Sequence, residues 1–234
     1  MIALGIGAHP DDVDLYAGGL VAGLVERGVD VVLVDLTAGE MGTRGTPELR
    51  REEAAEAARI LRVRARECLG LPDGGLRADD PGQTRAVVEM LRRHRPQLIL
   101  APFEVDTHPD HREASRLVRR AHFLARVARF PAAGEPTRPA PVLFYEQKIP
   151  FEPDLVVDIG PYRETKLAAI RAFRSQFFRE PGDELTTEIS DPRFHEWLAA
   201  RERVHGGRIG VEWGEGYKRE GPAAVKDPLA LVAG

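Results

Sequence analysis

The chain has 234 residues, a formal net charge of −4 at pH 7 and a single cysteine, Cys68. This charge excludes the broad cationic surface that attracts nucleic acid or anionic membranes, and one cysteine excludes an intrachain disulfide and a thiolate metal cluster. The apolar runs are far shorter than the roughly 20 residues that a membrane-spanning helix needs, and the first residues lack the basic opening of a signal peptide. We therefore expect a cytoplasmic protein that binds neither nucleic acid nor membranes.

In the first 127 residues, short apolar strands alternate with segments whose apolar residues have helical spacing. We predict strands at residues 2–8, 29–36, 67–71 and 97–102. Helices are predicted at residues 13–27, 47–61, 84–94 and 108–126. Strands separated by helices of this length indicate right-handed βαβ units. The predicted fold class is therefore α/β, a Rossmann-like three-layer sandwich with a mainly parallel sheet.

The pattern changes after residue 127. Residues 130–141 contain four prolines and indicate an ordered loop or flap. We predict further strands at 142–147 and 154–159, and helices at 161–173 and 192–203. Residues 206–217 contain too many glycines for a helix, so we expect them to pad the site or form a subunit contact. We interpret the chain as one domain, 1–234, with a core over 1–127 and with the flap, extra strands and C-terminal helices over 128–234.

Two similar tetrapeptides concentrate histidines and carboxylates at helix starts. His9-Pro10-Asp11-Asp12 follows the first predicted strand, and His108-Pro109-Asp110-His111 follows the fourth. Each therefore lies at the carboxyl end of a strand, where open α/β sheets bind their ligands. Because the carboxyl ends of parallel strands meet at one edge of a sheet, the two tetrapeptides can converge on one metal ion.

Imidazole and carboxylate groups are the expected ligands of a catalytic zinc ion, which keeps three protein ligands and one open position. We predict His9, Asp12 and His111 as these ligands. The same set also holds Fe(II), so the sequence does not choose the metal. Asp11 lies beside the ligands and is predicted to take a proton from the water that attacks a carbonyl group.

His108 and Asp110 form a second predicted pair. Asp110 would keep the imidazole of His108 protonated and oriented. The imidazolium would then stabilise the oxyanion or protonate the departing amine. Together with the metal and Asp11, this pair predicts the hydrolysis of an amide.

Three other interpretations compete with this one. A carboxylate at a helix start is commonly only a cap, which contributes about 0.3–1 kcal/mol. Gly5-Ile6-Gly7 resembles the start of a dinucleotide fingerprint, and Asp35 at the end of the second strand keeps a nucleotide-binding oxidoreductase open, although Pro10 stands in the place of the third glycine. A sugar-binding module without activity is the third interpretation, and Asp11 argues against it because binding needs no general base.

Further motifs accompany the two tetrapeptides, namely Thr37-Ala38-Gly39-Glu40 with Gly45, Arg50 and Glu53 after it. Together these motifs resemble the PIG-L/LmbE family of zinc-dependent N-acetylglucosaminyl deacetylases, and the resemblance covers nearly the whole chain. Residues 71–76, 174–177 and 209–212 are similar to the branch of the family that makes bacillithiol.

The resemblance implies a role for each motif residue. His9, Asp12 and His111 match the zinc ligands of the family, and Asp11 matches its general base. The pair of His108 and its neighbouring carboxylate matches the transition-state stabiliser and the residue that supports it.

Two arginines are predicted to bind the substrate. Arg50 matches an arginine near the sugar site of the family, and a salt bridge with Glu53 on the same helix face is the alternative. Arg138, in the proline-rich segment, is predicted to bind an anionic group attached to the sugar, because arginine makes bidentate contacts with carboxylates. An ordinary surface charge is the alternative for Arg138.

The bacillithiol branch implies N-acetylglucosaminyl-malate as the substrate, with glucosaminyl-malate and acetate as the products. Deacetylation of other N-acetylated sugars and hydrolysis of thiol conjugates by an amidase stay open as alternatives. The resemblance also implies a homo-oligomer, either a trimer or a hexamer. The absence of asparagine and the scarcity of cysteine are typical of proteins from thermophiles.

Overall fold

The computed structural model describes residues 1–138, 140–178 and 186–222. Its strands are β1 Ile2–Gly7, β2 Asp30–Thr37, β3 Ala65–Leu71, β4 Leu98–Pro102, β5 Val142–Tyr145, β6 Leu155–Asp158 and β7 Gly214–Arg219. Its helices are α1 Asp12–Glu26, α2 Pro47–Leu61, α3 Pro81–His94, α4 Pro109–Leu124, α5 Arg163–Ala172, α6 Arg174–Phe177 and α7 Pro192–Arg208, with short 3-10 helices at Gly160–Tyr162 and Glu188–Ser190. None of the helices in the described ranges is both long and apolar enough to span a membrane.

The strands form one sheet in the order β3-β2-β1-β4-β5-β7-β6. The first five strands of the chain pair in parallel, and β7 is antiparallel to both β5 and β6. This arrangement confirms the predicted α/β sandwich with a mainly parallel sheet. The strand order reverses between β1 and β4, which are direct neighbours. Such a switch point opens a crevice at the carboxyl ends of the two strands.

An apolar core lies on each face of the sheet because successive side chains of a strand point to opposite faces. On β1, Ala3 belongs to the core that includes α1, α2 and α5, whereas Leu4 and Ile6 belong to the core that includes α3 and α4. All three side chains have no exposed surface. Full burial of a leucine or isoleucine contributes about 1.5–3 kcal/mol. The loops after β1 and β4 therefore start from a rigid base.

The C-terminal part differs from the prediction for residues 206–217. α7 continues through Gly206 and Gly207 to Arg208, and β7 then inserts between β5 and β6. The glycines allow close contact: a Cβ at Gly206 would lie 2.7 Å from the carbonyl oxygen of Val211, and one at Gly216 would lie 2.7 Å from the His205 ring. Glycines that argue against a helix in the sequence thus let α7 and β7 pack together.

The proline-rich segment lies at the edge of the sheet opposite to the carboxyl ends of β1 and β4. The N–H of Thr137 donates to the carbonyl of Ala125, directly after α4. Near the end of α3, Arg92 donates to the carbonyl of Ala132. Because each of these helices starts at the carboxyl edge of the sheet, their C-terminal ends mark the opposite edge. Residues 130–138 therefore pack away from the two tetrapeptides.

Candidate metal centre

The loops after β1 and β4 bring the two histidine-rich tetrapeptides together. The strands are hydrogen-bonded neighbours, with Ala3 opposite Leu98 and Gly5 opposite Leu100, and α1 and α4 begin at their carboxyl ends. A cavity of about 470 Å³ lies there. Its wall contains most of the site residues predicted from the sequence, namely His9, Asp11, Asp12, Arg50, His108 and His111. It also contains Tyr16 and Asp73, which were not predicted.

The turn after β1 is strained at Asp11. Its φ is 121°, a conformation that costs a residue other than glycine about 1–3 kcal/mol. The Asp11 carboxylate makes no capping hydrogen bond to α1. The turn is held instead by Arg50, whose Nη2 donates to the carbonyl of Pro10 at 3.0 Å, and by the N–H of His9, which donates to Oδ2 of Asp12 at 2.9 Å. The interpretation as a helix cap therefore does not apply to Asp11.

The carboxylate of Asp12 lies between two imidazoles. Its Oδ1 is 3.3 Å from Nε2 of His111, and its Oδ2 is 3.7 Å from Nδ1 of His9. All three residues are buried. The structure thus brings the predicted ligand set together, with one nitrogen of each ring near the same carboxylate.

The other nitrogen of each imidazole lies next to a further carboxylate. Nδ1 of His111 is 3.2 Å from Oδ1 of Asp106, and Nε2 of His9 is 3.1 Å from Oδ1 of Asp73. Metal-binding histidines ordinarily donate their second N–H to such a partner, which fixes the tautomer and the orientation of the ring. The donor chemistry therefore fits a divalent cation held by His9, Asp12 and His111.

Other combinations of ligands are close in space. Among the residues that the structure describes, two groups have ligand atoms within 4.8 Å of one another, the first being His9, His108 and His111 and the second His9, Asp73 and Asp110. We favour the set that contains Asp12, because Asp12 is a buried anion between the other two ligands. His108, in contrast, is exposed.

The electrostatics of the cavity favour a bound cation. Burial alone would lower the pKa of His9, but the carboxylates of Asp110 and Asp73 raise it to about 10. Burial would likewise lower the pKa of His111, but Asp12 and a second carboxylate raise it to about 9. The negative charge of the site thus outweighs the cost of burying a positive charge there. The same negative charge would stabilise a bound divalent cation.

Asp11 has the properties of a general base. It is only 5% exposed, and burial raises the pKa of its carboxyl group to about 7, although the nearby guanidinium of Arg50 lowers it. Nη2 of Arg50 lies 3.4 Å from Oδ2 of Asp11. A buried carboxylate with a pKa near neutrality is suited to take a proton from water.

Arg50 also holds the loop after β2 against this base. Its Nη1 donates to the carbonyl of Gly39 at 2.9 Å. Gly39 has a φ of 67°, and a Cβ there would lie 1.9 Å from Nη1. Glu53, the alternative partner, instead accepts hydrogen bonds from the N–H and the hydroxyl of Ser175, both at 2.7 Å. Arg50 therefore orders the wall of the cavity, and its predicted contact with the sugar stays a prediction.

The predicted pair of His108 and Asp110 has a different geometry. His108 caps α4, with its Nδ1 accepting a hydrogen bond from the N–H of Asp110 at 3.2 Å. The Asp110 carboxylate accepts from the N–H groups of Gly74 and Leu76 and lies 3.5 Å from Nε2 of His9. Burial and the neighbouring imidazoles lower the pKa of His108. In this arrangement the Asp110 carboxylate lies against His9. It favours the protonated form of His108, but burial and the neighbouring imidazoles outweigh it.

Arg138 and Asp35 lie outside the cavity. Arg138 is exposed in the proline-rich segment at the opposite edge of the sheet, so a single chain does not bring it to the predicted ligands. Asp35 is 3% exposed, and both of its oxygens accept hydrogen bonds from Arg66. This use of Asp35 removes the feature that favoured a dinucleotide-binding protein.

Two residues that line the cavity, Tyr16 and Asp73, were missed by the sequence analysis, as was Asp106, whose carboxylate lies next to His111. Asp73 and Asp106 follow the carboxyl ends of β3 and β4, at the edge of the sheet where the site was predicted. Their position after these two strands is the signal that could have identified them from the sequence. Tyr16 lies about one turn after Asp12 on the same side of α1, where an aromatic residue is expected to belong to the core.

Comparisons with known proteins agree with this geometry. Residues 4–122 match the sequence model of the family described as PIG-L, GlcNAc-PI de-N-acetylase. The chain is 32% identical to a 1D-myo-inositol 2-acetamido-2-deoxy-alpha-D-glucopyranoside deacetylase of Saccharopolyspora erythraea, over 80% of this chain and 88% of the relative. It is 34% identical to diacetylchitobiose deacetylase of Thermococcus kodakarensis, over 72% of this chain and 67% of the relative.

A third relative is a probable N-acetyl-alpha-D-glucosaminyl L-malate deacetylase of Bacillus cereus, with 30% identity over 72% of this chain and 80% of the relative. Among solved structures, that of a conserved protein from Thermus thermophilus superimposes with a TM-score of 0.87 and 39% identity, over 97% of each chain. The matched family region contains both tetrapeptides. The chain therefore belongs to the PIG-L, GlcNAc-PI de-N-acetylase, family.

Proposed function

We propose that this chain is a zinc-dependent N-deacetylase that hydrolyses the acetamide of a small molecule containing N-acetylglucosamine. One observation carries the proposal: Asp11, a buried carboxylate, lies in the wall of a cavity beside a metal-ligand set. Burial raises the pKa of this carboxyl group, which suits a general base. A binding protein has no use for a strained general base. The names of the three relatives, each a deacetylase, support the same reaction class.

In the proposed reaction, Asp11 takes a proton from water as the water oxygen attacks the acetamide carbon. The carbon–nitrogen bond then breaks, and the proton passes to the departing amine. A metal ion held by His9, Asp12 and His111 would polarise the carbonyl and lower the pKa of water. Arg50 holds Asp11 in position through the contact at 3.4 Å.

We further propose N-acetylglucosaminyl-malate as the substrate, with glucosaminyl-malate and acetate as products. A groove lined by Lys148 and Arg193 adjoins the metal cavity, since residues of Glu188–Ser190 border both. These two cations suit the carboxylates of malate. They contact Glu188 and Asp191 in the structure, so malate would compete with those side chains. Deacetylation of other sugars and hydrolysis of thiol conjugates therefore stay as alternatives.

The substrate proposal is tested by measuring acetate release from three compounds with the zinc-loaded protein: N-acetylglucosaminyl-malate, diacetylchitobiose and free N-acetylglucosamine. We expect the highest kcat/KM for the malate conjugate. Equal values for all three would keep the deacetylase and remove malate from the proposal. No acetate from any compound, with metal bound, would overturn the deacetylase and direct the test to thiol conjugates.

Lys148→Ala provides a sharper version of this test. Loss of one charge-assisted contact to malate should raise KM for the malate conjugate about tenfold. KM for free N-acetylglucosamine should stay unchanged, because that sugar has no carboxylate. An equal change for both compounds would show that Lys148 does not recognise malate.

A further inference from the structure

Tyr16 lies in the wall of the metal cavity, four residues after Asp12 on α1. Residues four apart on a helix share one side of it, with about 5–6 Å between their Cβ atoms. The ring of Tyr16 therefore lies beside the carboxylate of the proposed ligand set. Tyr16 is 7% exposed, and the reaction described above gives it no role.

The ring of Tyr16 is held in a fixed position. It stacks on the ring of Tyr145, with the centroids 6.3 Å apart and the planes inclined by 16°. The guanidinium of Arg201 lies 5.0 Å from its centroid, and Arg201 is itself bound to the carbonyl of Gln147. A side chain whose ring is packed in this way presents its hydroxyl group at a defined point, as a group that acts on a substrate requires.

The hydroxyl of Tyr16 differs from the other three tyrosine hydroxyls of the chain. Those three are hydrogen-bonded within the protein, in the pairs Tyr145–Ile6, Tyr217–Glu215 and Tyr162–Arg27. No hydrogen bond joins the Tyr16 hydroxyl to another residue in the described part of the chain. It is also not one of the enclosed polar atoms that lack a partner there. The hydroxyl therefore reaches open space.

Tyr16 borders two cavities, the metal cavity and a small internal cavity whose lining includes three glutamates. Its position four residues after Asp12 on α1 places it beside the proposed ligands. Burial raises the pKa of Tyr16, Arg201 lowers it, and the carboxylates that raise it further are Asp12 and Asp11 in the cavity wall and Asp106 next to His111. On these grounds the hydroxyl is placed toward the metal cavity rather than the internal one.

We propose that the hydroxyl of Tyr16 donates a hydrogen bond to the carbonyl oxygen of the substrate's acetamide and that Tyr16 is a catalytic residue of this chain. The inference rests on the proposed deacetylase function. Asp11 and Asp12 are ionised acceptors when they act and cannot donate this bond, whereas a phenol can. His108, whose Nδ1 accepts the N–H of Asp110, can also donate from Nε2, so Tyr16 would be a second donor at the cavity.

The bond would act on the transition state. When water adds to the carbonyl carbon, an electron pair of the C=O bond moves to the oxygen, which gains negative charge. A fixed donor stabilises that charge more strongly than it stabilises the neutral amide. Tyr16 keeps its own proton throughout, since the proton of water passes to Asp11 and from there to the amine.

Tyr16→Phe removes the hydroxyl and keeps the ring. We expect kcat to fall about 100-fold, because loss of one oxyanion donor costs about 10²–10³ in kcat. KM should change by less than about twofold, and the zinc content should stay that of the wild type. Tyr145→Phe is the matched control: it removes the neighbouring hydroxyl, which binds the carbonyl of Ile6, so its Tm should fall while kcat is kept.

A binding measurement separates a transition-state role from a structural one. In the inactive Asp11→Asn background, adding Tyr16→Phe should leave the calorimetric Kd of the substrate unchanged. An unchanged kcat for Tyr16→Phe would overturn the inference. A raised KM and Kd with kcat unchanged would also overturn it, because the hydroxyl would then bind another part of the sugar. A wild-type protein that releases no acetate would overturn the deacetylase function itself, so the wild-type rate distinguishes the two failures.

Discussion

Nδ1 of His111 lies 3.2 Å from Oδ1 of Asp106, on the side of the ring away from Asp12. The same oxygen accepts the N–H of His108 at 2.7 Å, and the other oxygen accepts the N–H of Lys148 at 2.9 Å. Asp106 is therefore fixed by the backbone of the loop after β4 and of the chain after β5. A carboxylate held in this way fixes the imidazole of His111 with Nε2 directed at the proposed metal.

Asp106→Asn should weaken zinc binding about 10–100-fold, since this is the usual cost of losing such a partner of a metal-binding histidine. The affinity is measured by competition with a chromophoric chelator. Asp79→Asn is the control, because Asp79 is exposed and its carboxylate binds only the exposed Arg77 among the hydrogen bonds of the described residues. Equal zinc affinities for the two variants would remove Asp106 from the metal centre.

Asp11→Asn should retain zinc and lose turnover. Asparagine tolerates a positive φ better than most residues, so the strained turn at φ 121° is kept while the base is removed. We expect kcat to fall about 10²–10⁴-fold, with the zinc content measured by atomic absorption unchanged. Turnover at the wild-type rate would show that another group takes the proton.

Arg50→Lys should lower both stability and activity. A lysine cannot donate simultaneously to the carbonyls of Gly39 and Pro10, as the guanidinium does. Leaving a buried acceptor unpaired costs about 1–3 kcal/mol, which denaturant unfolding measures. Arg51→Lys, at the exposed next position, should change neither quantity. If the two variants behave alike, Arg50 does not order the cavity.

Arg66→Met tests the buried network beneath the site. Arg66 binds Asp14 on α1 and Asp35 on β2, and its side chain is only 6% exposed. Removing the cation leaves two buried carboxylates without their partner, so we expect a loss of about 3–5 kcal/mol in the free energy of unfolding. Arg64→Met breaks an exposed ion pair with Asp30 and should cost at most about 1 kcal/mol. A loss below that value for Arg66→Met would show that the network contributes little.

The local structure of the first half of the chain was predictable because its signals are local. For example, the helical spacing of apolar residues predicted α2 over residues 47–61, which are its bounds in the structure. Glycines misled the prediction for residues 206–217, because Gly206 in α7 and Gly216 in β7 are needed for the close packing of these two elements on each other. Their role depends on tertiary contacts, which the sequence pattern does not contain.

The site was predictable to the extent that its residues belong to the two tetrapeptides. Strand order could not be derived, so the adjacency of β1 and β4 was available only as a possibility. Asp73 and Asp106 stand on loops that meet the two tetrapeptides only after the sheet has formed. The predicted partner of Asp110 was His108, its neighbour in sequence. The fold instead places the Asp110 carboxylate 3.5 Å from Nε2 of His9, on the other tetrapeptide.

Our central claim is that the cavity between α1 and α4 is a metal-dependent deacetylase centre. Its most direct test is acetate release from N-acetylglucosaminyl compounds by protein stripped with a chelator and then titrated with zinc. We predict no release from the stripped protein and full recovery at about one equivalent of zinc, as expected for one three-ligand site. Undiminished acetate release by the stripped protein would contradict the claim.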